Sequence, residues 1–136
     1  MIIIDTNIFS ALMAADHGVE DWLETVSPSD LYTTTVTRAG IGYGILRLPG
    51  GRRRHDLQAR ASALFEEIAD RTLSFSTRAA DAYGPIVSAR ERAGRPISVL
   101  DAQIAAIART HRAAVATRNV SDFEECGVAV VNPYDR

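Results

Sequence analysis

The sequence contains no lysine, so all 15 of its basic residues are arginine. With 17 acidic residues the formal net charge is −2, which excludes a strong overall attraction to nucleic acid. There is one cysteine, Cys126, so no disulfide can form within the chain. This favours a reducing compartment and a packing role for the thiol.

Long hydrophobic stretches are also absent. No apolar run approaches the roughly 18 residues that a membrane-spanning helix needs. The N-terminus lacks the basic region and cleavage site of a signal peptide, so we expect a cytoplasmic protein with no membrane partner. The 136 residues, 46% of them hydrophobic, suffice for one domain with its own core, and they contain neither an internal repeat nor a low-complexity linker.

Several familiar catalytic and metal-binding motifs are missing. The three histidines share no zinc-ligand spacing, and no G-x-S-x-G is present to support a serine hydrolase. Residues 40–44 superficially resemble a dinucleotide-binding loop. The third glycine of that fingerprint is misplaced, however, and no acid follows about 20 residues later on a second strand. These gaps exclude the commonest zinc, serine-hydrolase and dinucleotide-binding sites.

Short apolar runs alternate with segments of helical periodicity. The runs predict strands at residues 1–4, 31–35, 73–75, 114–116 and 128–131. Apolar residues at helical spacing predict helices at 8–13, 19–26, 37–48, 57–68, 79–87 and 100–108, the first capped by Thr6 or Asn7. We expect Gly84-Pro85 to kink or restart the fifth helix. This alternation predicts an α/β fold with a parallel sheet covered on both faces.

Lone carboxylates stand at the ends of these apolar runs. Asp5 directly follows the run 2–4, Asp101 follows residues 98–100, and Asp122 comes shortly after the run 114–116. A parallel sheet would bring all three acids to one edge, where active-site groups usually lie. Clustered acids repel one another unless a hard cation such as Mg²⁺ sits between them. A metal site is therefore the leading interpretation.

Helix capping is the alternative for each acid taken singly. Ser98 and Asp101 have the spacing of a capping box, and Asn119 and Asp122 have a similar one. An acid in the first turn of a helix is stabilised by the helix dipole, typically by about 0.3–1 kcal/mol. The grouping of three such acids, one near the start of the chain and two near its end, favours the metal site.

Four ordered segments resemble the motifs of the PIN-domain proteins, in particular the VapC toxins of type II toxin–antitoxin systems. Residues 1–7 (MIIIDTN) resemble the opening motif, and residues 33–45, 94–106 and 116–123 resemble the following three. Asn132-Pro133-Tyr134 is similar to the usual tail, and Leu48-Pro49 with the basic run after it is similar to the FitB-like branch. The resemblance implies a three-layer α/β/α PIN-like fold with a central, mostly parallel sheet, as a single domain over residues 1–136.

The resemblance also implies an activity and partners. It implies an endoribonuclease that depends on Mg²⁺ or Mn²⁺, acts as a toxin on an RNA substrate, and is held by a VapB-like antitoxin. A homodimer or a toxin–antitoxin hetero-oligomer is implied as well, and Trp22 would fit either a dimer face or the core.

The implied site residues fall into three groups. The metal ligands are Asp5, Asp101 and Asp122, with Asn119 in the same cluster. The residues that position Asp5 and the waters are Thr6, Asn7 and Thr117. Arginine forks suit phosphate oxygens, and the arginines that would either contact RNA or form a solvated helix start are Arg47, Arg52, Arg53 and Arg54.

The chain departs from the family pattern at Gly40. The family places a glutamate here, three residues after Thr37, where it would also complete a capping box. Glycine supplies no ligand, so position 40 is a vacant glutamate position, and we expect weak nuclease activity or none. An introduced inactivation, a natural loss and a site that uses water in place of the carboxylate all fit.

Two alternatives to an active nuclease follow. The first is a catalytically inactive PIN-fold module that binds an antitoxin or RNA, which the missing acid favours. The second is a receiver-like phosphotransfer domain, which lacks the paired acids after the first strand and the downstream lysine.

Overall fold

A five-stranded parallel sheet forms the centre of the described part of the chain, residues 1–135 of a computed structural model. Its strands are β1 (Ile2–Ile4), β2 (Leu31–Thr34), β3 (Thr72–Leu73), β4 (Ala114–Ala116) and β5 (Val130–Val131). The helices are α1 (Thr6–Met13), α2 (His17–Leu23), α3 (Thr35–Leu46), α4 (Arg52–Glu67), α5 (Thr77–Arg92) and α6 (Val99–His111). Short 3₁₀ turns lie at Pro28–Asp30, Ala69–Arg71 and Val120–Phe123. Arg136, the last residue of the predicted domain, lies outside the described residues.

The strand order is β3-β2-β1-β4-β5, and every pairing is parallel. The chain builds the sheet outward from β1 on one side through β2 and β3, and then on the other side through β4 and β5. The carboxyl ends of β1 and β4 therefore flank the point where the strand order reverses, the usual ligand site of an open α/β sheet. At this point the amide of Asp5 donates to the carbonyl of Ala116 at 2.9 Å.

The two faces of the sheet are covered by different helices. Side chains alternate between the faces along a strand, so Ile3 packs with α5 and α6, whereas Ile4 packs with helices α1 to α4. On the second face the rings of Phe9 and Phe65 stack with centroids 4.6 Å apart. The predicted three-layer α/β/α architecture is confirmed, with a sheet that is wholly parallel.

Trp22 is 5% exposed and belongs to the core on the α1–α4 side, so core packing accounts for it. Cys126 is likewise buried in the core on the α5–α6 side, as its packing interpretation predicts. No helix among the described residues is long and apolar enough to cross a membrane.

The expected restart of the fifth helix at Gly84-Pro85 is wrong, because α5 continues through Pro85 to Arg92. A proline inside a helix removes one N–H and so deprives the carbonyl four residues earlier of its partner. That carbonyl belongs to Asp81, and both Asp81 and Pro85 are exposed. The lost hydrogen bond can be replaced by water, and the buried face that carries Ile86 keeps the helix in place.

Candidate metal centre

Asp5 is buried at the end of β1, with 5% of its surface exposed, and it is the N-cap of α1. Its Oδ1 accepts a hydrogen bond from the amide of Thr6 at 2.8 Å. Its Oδ2 accepts from the hydroxyl of Thr117 at 2.9 Å and from the side-chain amide of Asn7 at 3.2 Å. The expected cap at Thr6 or Asn7 is therefore wrong, because the residue before them has the extended conformation and the carboxylate that a cap requires.

Thr117 connects the ends of β1 and β4. Its fully buried hydroxyl donates to Asp5 and accepts from the side-chain amide of Asn7 and the backbone amide of Asn119, both at 3.1 Å. The side-chain oxygen of Asn7 in turn accepts from the amide of Arg118 at 3.1 Å. Of the three predicted supporting residues, Asn7 and Thr117 thus contact Asp5 through their side chains, and Thr6 does so through its backbone.

Asp101 lies in the first turn of α6, which Ser98 caps by accepting a hydrogen bond from the Asp101 amide at 3.2 Å. The capping alternative therefore holds for this pair. It does not hold for Asn119, whose side chain makes no capping bond to the turn that carries Asp122. Asp122 is partly buried in that short 3₁₀ turn, where its amide donates to the carbonyl of Asn119 at 3.0 Å.

The three carboxylates lie close enough to act on one another electrostatically. Burial raises the pKa of Asp5, and the negative charges of Asp101 and Asp122 raise it further, against the hydrogen bonds from Thr117 and Thr6. Burial also raises the pKa of Asp101; the charge of Asp122 adds to this, while the Ser98 hydroxyl and the charge of Arg90 oppose it. The sheet thus gathers the acids that the sequence separates.

The donor set suits a hard cation that keeps part of its water shell. Within residues 1–135, no three acidic, histidine or cysteine side chains form a group that could enclose a metal ion. Mg²⁺ does not need such a cage, since it commonly binds through one or two carboxylates and retains several waters. The mutually repelling oxygens of the buried Asp5 and the partly buried Asp101 fit that mode.

Gly40 lies on α3, the helix that contacts the Asp101-bearing α6. A Cβ built at Gly40 meets no heavy atom within 4 Å, so a side chain can begin there without a clash. The helix begins earlier than expected, because Thr34 caps it by accepting from the Thr37 amide at 3.0 Å. The predicted capping box between Thr37 and position 40 is therefore wrong.

The four predicted RNA-contacting arginines lie on the α1–α4 side of the sheet. Arg52, Arg53 and Arg54 form the first turn of α4, and Arg47 ends α3 with its guanidinium 5.7 Å from the ring centroid of Tyr43. Arg47, Arg52 and Arg53 are exposed, whereas Arg54 is partly buried and donates to the carbonyl of Leu48 at 3.5 Å. This placement agrees with a solvated helix start and leaves the guanidinium groups available to phosphates.

Arg90 is a residue of this region that the sequence patterns did not single out. It is 4% exposed and lies one turn after the buried Ile86 on α5. That i, i+4 spacing was the available signal that Arg90 faces inward. Its guanidinium donates to the backbone of the turn that carries Asp122.

The chain is similar to proteins of known family along its whole length. The model of the PIN domain family matches residues 2–127. VapC ribonuclease Y4jK of Sinorhizobium fredii is 33% identical, with 99% of each chain covered. Toxin FitB of Neisseria gonorrhoeae is 32% identical over 98% of this chain and 99% of its own.

Solved structures give the same result in three dimensions. The structure of FitAB bound to an IR36 DNA fragment superposes with a TM-score of 0.92 at 32% identity, covering 100% of this chain and 97% of the other. A toxin–antitoxin complex from Klebsiella pneumoniae superposes with a TM-score of 0.70 at 25% identity, covering all of both chains.

Proposed function

Because this chain belongs to the PIN-domain family, we propose that it is the toxin of a type II toxin–antitoxin pair and that its site hydrolyses RNA with Mg²⁺ or Mn²⁺. One observation carries the proposal: the sheet brings Asp5, Asp101 and Asp122 into electrostatic contact at the reversal point of its strand order. Its similarity to a VapC ribonuclease and to toxin FitB supports the same role.

Asp5 and Asp101 would hold the ion directly, and Asp122 would hold a second ion or orient a bound water. A divalent ion in such a site activates water and neutralises charge on the phosphate and the leaving oxygen. Thr117 and Asn7 fix the Asp5 carboxylate in one orientation by hydrogen bonds to Oδ2. Residues that orient a ligand in this way typically contribute about 10- to 100-fold to metal affinity.

Position 40 limits the activity of this chain. The open space around Gly40 and the contact between α3 and α6 support the interpretation of position 40 as a vacant ligand position. Without that carboxylate the site holds a cation with fewer negative ligands. We therefore infer that RNA cleavage by this chain is weak.

Substrate and partners follow from the same role. The exposed Arg47, Arg52 and Arg53, together with Arg54 beside them, would bind RNA phosphates. The protein partner would be a VapB-like antitoxin, and the chain would form a homodimer or a toxin–antitoxin hetero-oligomer. Action on RNA would take place in the cytoplasm, the compartment that the single cysteine also favours.

A second candidate is a catalytically inactive PIN-fold module that binds an antitoxin or RNA. The absence of a carboxylate at Gly40 favours it, because the module would need no complete metal site. The three remaining acids favour the nuclease, since a binding module has no need to place the charges of Asp101 and Asp122 near the buried Asp5.

The test is RNA cleavage in Mg²⁺ and in Mn²⁺ by this chain and by Gly40→Glu. Gly42→Glu is the matched control, because position 42 on the same helix has equal open space but is exposed. Asp5→Asn combined with Gly40→Glu measures contaminating ribonuclease. We expect Gly40→Glu alone to cleave roughly tenfold faster than this chain, or more.

Two outcomes would contradict the proposal in different ways. Cleavage by this chain at the rate of Gly40→Glu would show that position 40 is not a vacant ligand site. No cleavage by Gly40→Glu, together with retained binding of RNA or antitoxin, would favour the binding module.

A further inference from the structure

Arg90 carries a buried charge for which no carboxylate provides an ion pair within the described residues. Its Nε donates to the carbonyl of Arg95 at 2.6 Å. Its Nη1 donates to the carbonyls of Asp122 at 2.8 Å, Glu124 at 2.9 Å and Ser121 at 3.3 Å. A buried charge is costly unless hydrogen bonds replace its water shell, and here backbone carbonyls of two separate segments do so.

The segment that Arg90 binds is otherwise held from outside by exposed contacts of Arg95. Its Nη2 donates to the carbonyl of Ser121 at 3.4 Å and its Nη1 forms an ion pair with Glu124. Asp122 lies in a 3₁₀ turn of four residues, Val120–Phe123, and the side chain of Asn119 does not cap it. Phe123 anchors the turn in the core on one side. Arg90 binds the carbonyl of Asp122 itself. The guanidinium therefore fixes the orientation of this peptide and, with it, the direction of the Cα–Cβ bond of Asp122.

The placement of Arg90 also matters electrostatically. Its positive charge acts on Asp101, which belongs to a different helix. A fixed cation near the carboxylates offsets part of their mutual repulsion. Arg90 thus acts on both acids, on Asp122 through the backbone of its turn and on Asp101 through its charge.

We propose that Arg90 is a positioning residue of the metal site, which fixes the backbone of residues 121–124 so that the Asp122 carboxylate stays beside Asp101. The part of this statement that concerns metal rests on the proposed function. The part that concerns the turn does not, because it follows from the hydrogen bonds alone.

The geometry requires arginine at this position. The planar guanidinium presents donors in separate directions, so Nε reaches the Arg95 carbonyl while Nη1 reaches the turn. Lysine has a single ammonium group and retains the charge without that fork. Arg90→Lys therefore removes the hydrogen-bond geometry but keeps the charge, whereas Arg90→Met removes both. Arg92→Met is the matched control, because Arg92 is exposed on the same helix.

The first measurement is amide hydrogen exchange in metal-free protein. We expect the amides of residues 120–126 to exchange roughly tenfold faster in Arg90→Lys and Arg90→Met, while those of β1 and β4 keep their protection. Arg92→Met should match the unmodified chain. Unchanged exchange in the turn of Arg90→Lys would overturn the proposal, and Arg90→Lys, which keeps the buried charge, serves if Arg90→Met does not fold.

The second measurement is Mn²⁺ binding, followed by the electron paramagnetic resonance of the free ion. We expect Arg90→Lys to bind about 10- to 100-fold more weakly than the unmodified chain, as is typical for the loss of a residue that orients ligands. If Arg90→Lys binds Mn²⁺ as tightly as the unmodified chain although its turn is destabilised, the role of Arg90 in the metal site is overturned. If the unmodified chain binds no Mn²⁺, the proposed function fails, whereas the exchange data still decide whether Arg90 holds the turn.

Discussion

The hydroxyl of Thr117 donates a 2.9 Å hydrogen bond to Oδ2 of Asp5, although 112 positions separate the two residues in the chain. The bond forms because β1 and β4 are parallel neighbours, with Ile4 paired to Ala116. The residue after each strand therefore lies at the same edge of the sheet. This contact fixes the buried carboxylate on which the proposed metal site depends.

Thr117→Val should destabilise the protein by about 1–3 kcal/mol, the usual cost of leaving buried hydrogen-bonding groups unsatisfied. The substitution keeps the shape but deprives Asp5, Asn7 and the Asn119 amide of their shared partner. Urea denaturation at neutral pH measures the change in the free energy of unfolding.

Thr33→Val is the control for that substitution. Like Thr117, Thr33 in β2 is fully buried, but its hydroxyl has no hydrogen-bond partner in the described part of the chain. Removing an unpaired buried hydroxyl should leave the stability unchanged or raise it by about 1 kcal/mol. Equal losses in the two variants would mean that the Thr117 bonds contribute nothing specific.

Gly18→Ala should destabilise the protein by about 1–3 kcal/mol, the usual cost of overpacking. A Cβ at Gly18 would lie 2.7 Å from Cε1 and 2.8 Å from Cδ1 of the Tyr134 ring. That ring is also covered by the guanidinium of Arg118 at 4.2 Å from its centroid, which restricts its movement.

Gly42→Ala provides the comparison for Gly18→Ala in thermal unfolding. Position 42 is exposed on α3 with open space around it. Alanine there should stabilise the helix by about 0.5–1 kcal/mol. If Gly18→Ala unfolds at the same temperature as the unmodified chain, Tyr134 is not the rigid neighbour that the structure indicates.

The stability of the metal-free protein should depend on pH through Asp5. Burial raises the pKa of Asp5 above the usual aspartate value of 3.8, so the folded state holds this proton more tightly than the unfolded state. As the pH rises from about 4 through the raised pKa, the unfolded state releases the proton first and the protein loses stability. The loss is complete above the raised pKa.

The measurement is the free energy of unfolding in EDTA between about pH 4 and pH 8 for this chain and for Asp5→Asn. The lowered pKa of Asp16 acts in the opposite direction, but it is common to both proteins and cancels in the difference. As the pH rises, we expect the free energy of unfolding of this chain to fall relative to that of Asp5→Asn. Without EDTA, Mg²⁺ should stabilise only the unmodified chain. A difference that is constant across the range would contradict the raised pKa.

The sequence predicted the fold, and from the fold the position of Asp5 beside Thr117, because both follow from the parallel sheet. Asp5 and Thr117 come directly after strands, and parallel strands end at one edge, so their proximity could be inferred without coordinates. The predicted PIN-domain resemblance is confirmed by the family match and by similarity over the whole chain.

Local hydrogen bonding was harder to predict. Asp5 and Thr34 cap their helices in place of the expected Thr6 or Asn7 and Thr37, because any of several adjacent polar residues could serve as a cap. Arg90 was missed because an arginine in a helix usually faces solvent, and only the fold shows the carbonyls that surround it.

The most direct test of the account is Mn²⁺ binding by this chain, Gly40→Glu and Asp5→Asn, measured under one set of conditions. We expect weak binding by this chain, none at this site in Asp5→Asn, and binding by Gly40→Glu that is roughly tenfold tighter or more. Equal affinities in all three proteins would contradict the claim that Asp5 is a metal ligand and that position 40 is its missing neighbour.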